Sequence, residues 1–263
     1  MTRPEPIRTS GSCGDLLAAG DCPVQRKLTR FGLPVLFVVA GLAALSIDVP
    51  AARWVLDNHC PRTVVQVCSW AEMFAHGLGV LLILITVFVL DPASRRFVPR
   101  LAAAALGSGL LADVFKLSLA RERPYHFNFQ GGVAETFGAW FPHLGRDAGT
   151  QSFPSSHVAV AAGLAIALAW RYPRGRWLFV VFAILAAGQR LTGKSHFLSD
   201  VCWGAATGCL FAPACLPGGL LDRPFARLEA RFGGQSNAAP HQAAAAAASD
   251  HRAAKGSAKP HAA

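Results

Sequence analysis

The chain has 263 residues, 52% of them hydrophobic and only 15% charged, yet it carries Lys+Arg 25 against Asp+Glu 15, a formal net charge of +10. Soluble domains average about 25% charged residues, so this composition disfavours an ordinary water-soluble enzyme, and its Leu, Val, Ile and Phe content excludes a disordered or collagen-like chain. A basic excess often marks a nucleic-acid binder, but here the few charges lie between long apolar runs, which points to an integral membrane protein without a nucleic-acid partner.

In chain order, residues 1–30 are polar and lack the charged and apolar regions of a cleaved signal peptide; they read as a cytoplasmic segment. The first apolar run begins at Phe31, directly after Arg26, Lys27 and Arg30, and reads as an uncleaved anchor. Five more runs follow, at roughly 76–90, 98–119, 158–170, 177–191 and 198–216. Six membrane helices result, an all-α integral membrane bundle over residues 31–216. The connection holding Cys60 and Cys68 reads as a loop whose thiols can pair in an oxidising compartment. Cys202, Cys209 and Cys215 read as buried thiols. The segment from about Pro124 to Phe153 carries Phe127, Phe129, Phe137, Trp140 and Phe141. It either rests at the membrane interface or forms a lip over a lipid-binding mouth. Residues 217–263 read as a cytoplasmic tail, of low complexity and disordered from about 234. With both termini cytoplasmic, the clusters at Arg95/Arg96/Arg100 and Arg171/Arg174/Arg176 face inward, as the positive-inside rule prefers.

Three polar segments then fall on the outer side. In KLSLARERP, Lys116 and Arg123 are seven apart, so on a continuous helix ended by Pro124 they share one face. Lys116 then sits two turns inside an apolar helix, where an ionisable group is by default functional; Asp113 is its expected partner, and Arg121 reads as a snorkelling arginine. In SFPSSH, Ser155 or Ser156 caps a helix whose first turn holds His157, and the free amides there suit an anion. In QRLTGKSHFLSD, Arg190 ends one helix, Gly193 permits the turn and Ser195 caps the next. His196 and Asp200, four apart, stack on one face, so that the carboxylate can hold Nδ1–H and leave Nε2 free as a nucleophile. Taken singly, His157 reads as an interfacial residue before a catalyst, and His196 as half of a structural His–Asp hydrogen bond. Together, three cations, two histidines and one aspartate beside two helix N-termini suit phosphoryl transfer.

These segments resemble the three signature motifs of the type 2 phosphatidic acid phosphatase superfamily: Lys, six residues, Arg-Pro; Pro-Ser-Gly-His; and Ser-Arg, five residues, His, three residues, Asp. Every spacing matches, with Ser156 in place of the glycine and Gln189 in place of the serine. The resemblance implies a six-helix phosphatase core that hydrolyses a lipid phosphate monoester or pyrophosphate on the extracytoplasmic face of a bacterial inner membrane. It implies that Lys116, Arg123, Ser155, Ser156 and Arg190 bind the phosphate, that His196 is the nucleophile, His157 the general acid and Asp200 the orienter of His196, and that neither metal nor cofactor is needed. Three other readings stand beside it. One is a lipid phosphotransferase using the same phosphohistidine. Another is a haloperoxidase with vanadate in the phosphate site, disfavoured by the apolar runs. The third is a transporter or other non-enzymatic membrane protein, in which both histidines are dispensable. The lipid and the oligomeric state are not legible.

Overall fold

The computed structural model describes residues 31–140 and 148–232. The expectations for residues 1–30, for Phe141 and for the segment from 233 onward lie outside the described residues. All six apolar runs are helical, but they are cut differently. The first run bends by 75° between α1 (Leu33–Ala44) and α2 (Asp48–Leu56). The connection read as a loop is helix α3 (Arg62–Trp70) followed by a 3-10 turn (Ala71–Phe74), and it meets α4 (Gly77–Leu90) at 62°. Cys68 is therefore a buried helical residue, and both it and Cys60 are free thiols. Next come α5 (Val98–Lys116), α6 (Ser156–Arg171), α7 (Arg176–Thr192) and α8 (Leu198–Cys215). A last helix, α9, runs over 222–232. Among the described residues one continuous helical stretch, Pro92–Lys116, is long and apolar enough to cross a bilayer; each bent pair qualifies if taken as one span.

The centre is a trio, α5, α6 and α8, with α1 packed on α8, α7 on α6 and α4 on α5. Their inner faces are built from small residues and a few branched ones, among them Val80, Leu84, Leu101, Ala104, Leu164, Leu168 and Ala212. The outward faces are the reverse of a soluble protein's: Val35, Leu36 and Val39 on α1, Leu81, Leu82 and Ile85 on α4, and Leu178, Val181 and Ile184 on α7 all stand exposed. Apolar side chains turned outward on several helices mark a bundle whose solvent is lipid.

The long connection is not structureless. After α5 the chain enters a short strand, β1 (Leu119–Arg121), which pairs antiparallel with β2 (Phe137–Trp140), Leu119 opposite Trp140 and Arg121 opposite Phe137. This ribbon closes one end of the bundle. Phe127 is buried beneath it, with ring contacts to Phe129 and Phe197, whereas Trp140 is exposed. At the opposite end, buried Arg100 donates to Glu229 at 2.5 and 3.1 Å, to Asp222 at 3.0 Å and to the carbonyl of Cys215 at 2.8 Å, tying α9 to the start of α5.

Candidate active site

The three polar segments come together at the ribbon end, though not by the local geometry expected of them. Helix α5 ends at Lys116, its last residue, rather than running on to Pro124. Lys116 is thus at a helix end, not two turns within one, and Arg123 lies beyond β1 on separate backbone, so the two share no helical face. The ribbon pairing of Leu119–Arg121 overrides the helical continuation. Lys116 Nζ pairs with Asp113 at 3.2 Å, as expected. Asp113 also accepts a short bond from Ser156 Oγ, so the residue standing in the glycine position of the second motif turns its hydroxyl toward the lysine's partner.

Ser155 is the N-cap of α6, with no side-chain capping bond; its N–H donates to the carbonyl of Asp200 at 3.1 Å. Its Oγ and the Nε of Arg123 are buried and find no hydrogen-bond partner among the described residues. Buried polar atoms are nearly always paired, so an unpaired Ser155 Oγ at the N-terminus of α6 fits an incoming oxyanion. Arg190 lies in the last turn of α7, where it donates to Glu72 at 2.7 Å and to its neighbour Gln189 at 2.5 Å. Gln189 therefore aims the guanidinium. His157 lies in the first turn of α6, its ring 6.2 Å from that of His76. Electrostatic interactions link His196 to Lys116, Arg123 and His157, and Arg190 to Arg123 and His157, so the five groups lie in one neighbourhood.

His196 precedes α8 rather than lying in it. Its backbone N–H donates to the carbonyl of Arg190 at 3.2 Å, which turns the chain between α7 and α8. The residue in the left-handed region there is Lys194 (φ 60°), not Gly193, and the lysine is held by Asn58 and the carbonyl of Leu56. Nor does Ser195 cap α8. The N-cap is Phe197, whose N–H donates to Asp200 Oδ2 at 2.9 Å. The expected direct bond between His196 and Asp200 is an ion-pair distance of 3.7 Å, too long for a hydrogen bond. Ser152, missed in the sequence, fills the gap: its hydroxyl donates to Asp200 Oδ2 at 2.6 Å and its oxygen lies 3.4 Å from His196 Nδ1. The single hydroxyl proton is committed to Asp200, so the oxygen is left to accept from Nδ1–H, and Nε2 keeps its lone pair. Burial pushes the His196 imidazole below the ordinary histidine range, against the opposing pull of Asp200. A cavity of about 80 Å³ opens against His196, walled by Ala51, Val55, Pro124, Leu191 and Phe197.

Arg121 does not snorkel. It is fully buried and donates to Asp200, to Ser199 Oγ at 2.7 Å, to Asp48 at 2.7 Å and to Thr136 Oγ1 at 3.1 Å. Asp48 also accepts from the backbone N–H and the hydroxyl of Ser199, at 2.9 and 2.5 Å. Nothing local in the sequence signals this. Asp48 closes the first apolar run and Ser152 lies in an aperiodic connection, and only their meeting in space makes them part of the site. Glu72 and His76 were missed for the same reason.

Residues 97–218 match the family model "PAP2 superfamily", a span that contains all three motifs. The lipid A 1-phosphatase of Rhizobium johnstonii is 35% identical over 105 residues, and that of Rhizobium etli 36% over 105 residues. Each alignment covers 40% of this chain and 41% or 43% of the relative, so the chain matches well under half the length of either. Among solved structures, a transmembrane PAP2-type phosphatidylglycerolphosphate phosphatase from Bacillus subtilis superposes with a TM-score of 0.50, covering 70% of this chain and 92% of that one at 17% identity, a likeness of fold. Motifs, their spacing and the family model agree on one stretch of the chain: residues 97–218 are similar to the PAP2 superfamily.

Proposed function

We propose that this protein is an integral membrane lipid phosphatase that works through a phosphohistidine at His196. The observation that carries this reading is that two buried atoms of the motif residues, Arg123 Nε and Ser155 Oγ, have no partner among the described residues, while His196 is held at Nδ1 by Ser152. Lys116, Arg123 and Arg190, with the amides at the start of α6, hold the phosphoryl oxygens, over which charge spreads in the transition state. The Nε2 lone pair attacks phosphorus while the bond to the leaving oxygen breaks, and His157 gives that oxygen its proton. His157 then takes a proton from water, whose oxygen attacks phosphorus; the N–P bond breaks and His196 is restored. The bundle crosses the membrane with six helices, α1/α2 and α3/α4 counting as one crossing each. Both termini are cytoplasmic and the site faces outward. The apolar wall beside His196 suits a lipid substrate; a lipid A phosphate is the first candidate, supported by the likeness to the two lipid A 1-phosphatases, ahead of phosphatidate, phosphatidylglycerol phosphate and undecaprenyl pyrophosphate.

The test is phosphate release from these four lipids by the purified protein and by His196→Ala, without added metal. Release by the wild type and its loss in the variant are expected. A silent wild type on all four, or a fully active variant, overturns the reading. A reporter fused after Ala263 is expected to read cytoplasmic.

A further inference from the structure

Beyond the motif residues, a buried chain of charge runs away from the proposed nucleophile. Asp200 holds His196 through Ser152 on one oxygen and takes the Arg121 guanidinium on the other. Arg121 reaches on to Asp48 at 2.7 Å, and Ser199 binds both. Arg121, Asp48, Asp200 and Ser199 are all fully buried. The guanidinium lies between the rings of Phe137 and Phe197, 4.4 and 4.3 Å from their centroids, which exclude water from the pair. The residues come from α2, β1 and α8, so the cluster joins the first bent span to the third motif.

We infer that Arg121 and Asp48 are positioning residues for the reaction, acting on His196 through Asp200. The inference rests on the phosphohistidine reading above. Arg121 alone would fix the Asp200 carboxylate but also cancel its charge, and an imidazole that becomes positive on attacking phosphorus would then lack support. Asp48 restores the balance: two carboxylates and one guanidinium leave one net negative charge, which the phosphoimidazolium neutralises. In a water-free cluster such charges act at full strength. Burying three charges is justified only if all are paired, and each one here is.

The groups around His196 on the packed elements are Asp200 on α8, Ser152, Arg123 after β1, Lys116 on α5, His157 on α6 and Lys194, which lines the same cavity. Asp48→Asn leaves all of them in place while removing one negative charge from the cluster. Kinetics are followed on the lipid of the four-member panel that the wild type turns over fastest. Asp48→Asn is expected to lower kcat about 10- to 100-fold, less than the ~10⁴ lost when a histidine's direct carboxylate is neutralised in a serine protease. KM should change less than about threefold, because the phosphate cradle is untouched. The acid limb of kcat/KM should move to lower pH, since removing negative charge disfavours the imidazolium. The decisive variant is Asp48→Asn with Arg121→Gln, which returns the cluster to one net negative charge while losing more hydrogen bonds. Recovery of kcat above the single variant, with the acid limb back at the wild-type position, supports the inference. A double variant slower than Asp48→Asn, a wild-type kcat in Asp48→Asn, or an effect on KM alone overturns it. Should Asp48→Asn not fold, the limb of the double variant decides: at the wild-type position it supports the inference, below it the inference fails. A wild type that releases no phosphate condemns the functional reading instead.

Discussion

Ser155 illustrates how a single residue separates stability from chemistry. Its hydroxyl is buried and bonds to none of the described residues, so removing it strands no partner. Ser155→Ala is expected to leave Tm within about 2 °C of the wild type, because no hydrogen bond is broken. It should cost about 10- to 100-fold in kcat/KM, below or at the low end of losses for oxyanion donors in other enzymes. A thermal melt beside an activity assay checks both. His196 makes a second residue-level prediction. In the proposed mechanism attack needs an unprotonated Nε2, so kcat/KM rises as pH climbs through the imidazole pKa. Burial holds that pKa below the ordinary value of about 6.5. The acid limb is therefore expected below pH 6.5; a pH profile with its acid limb above 6.5 would contradict the buried geometry. Both residues stand in recognisable motifs. Ser152 and Arg121 do not: a serine in an aperiodic segment and an arginine beside a helix end carry no local mark of what they touch.

At the level of elements, the site depends on how closely α8 approaches α6. A side chain at Gly204 would lie 2.4 Å from the carbonyl oxygen of Ser155, and one at Gly208 would lie 2.6 Å from that of Ala159. The two glycines are four apart on one face of α8, the small-residue spacing that lets membrane helices pack backbone to backbone. Gly204→Ala is expected to push α8, with Asp200 and His196 at its start, away from the α6 N-terminus, and to cut turnover at least about tenfold while also lowering Tm. Gly107→Ala meets only the movable ring of Phe211 and serves as the milder comparison. The helices themselves were legible as apolar runs. Their ends were not: α5 stops at Lys116 because the next residues pair with β2, a partner some twenty residues away that periodicity cannot reveal.

On the scale of the whole molecule, polar chemistry is confined to the two ends of an apolar bundle. The ribbon end gathers Arg123 together with Lys116, Arg121 and Arg190 and the acidic partners of those three. The opposite end holds the Arg100 clamp on α9, and beside it Asp91, which accepts from Ser94 at 2.5 Å, Tyr172 at 3.0 Å and Arg171 at 3.3 Å. Arg100→Ala leaves Glu229 and Asp222 without their buried counter-charge. Because both carboxylates keep some access to water, a loss of about 2–3 kcal/mol is expected, at or below the usual range for a broken buried pair. That corresponds to a fall in Tm of roughly 5–10 °C. Phosphate release at moderate temperature should survive, since the clamp lies at the far end from His196.

The sequence by itself determined the helical membrane class, the six apolar runs and the three spaced motifs. Each is written in short-range pattern: hydrophobic length, helix-end residues and fixed intervals. Tertiary structure alone decided that Lys116 and Arg123 stand on separate backbone across a break rather than along one helix, that Ser152 mediates between His196 and Asp200, and that Arg121 turns inward to Asp48. Those outcomes depend on residues far apart in the chain, buried together where an unpaired charge is too costly to persist, and no local pattern records which partner a buried charge will find.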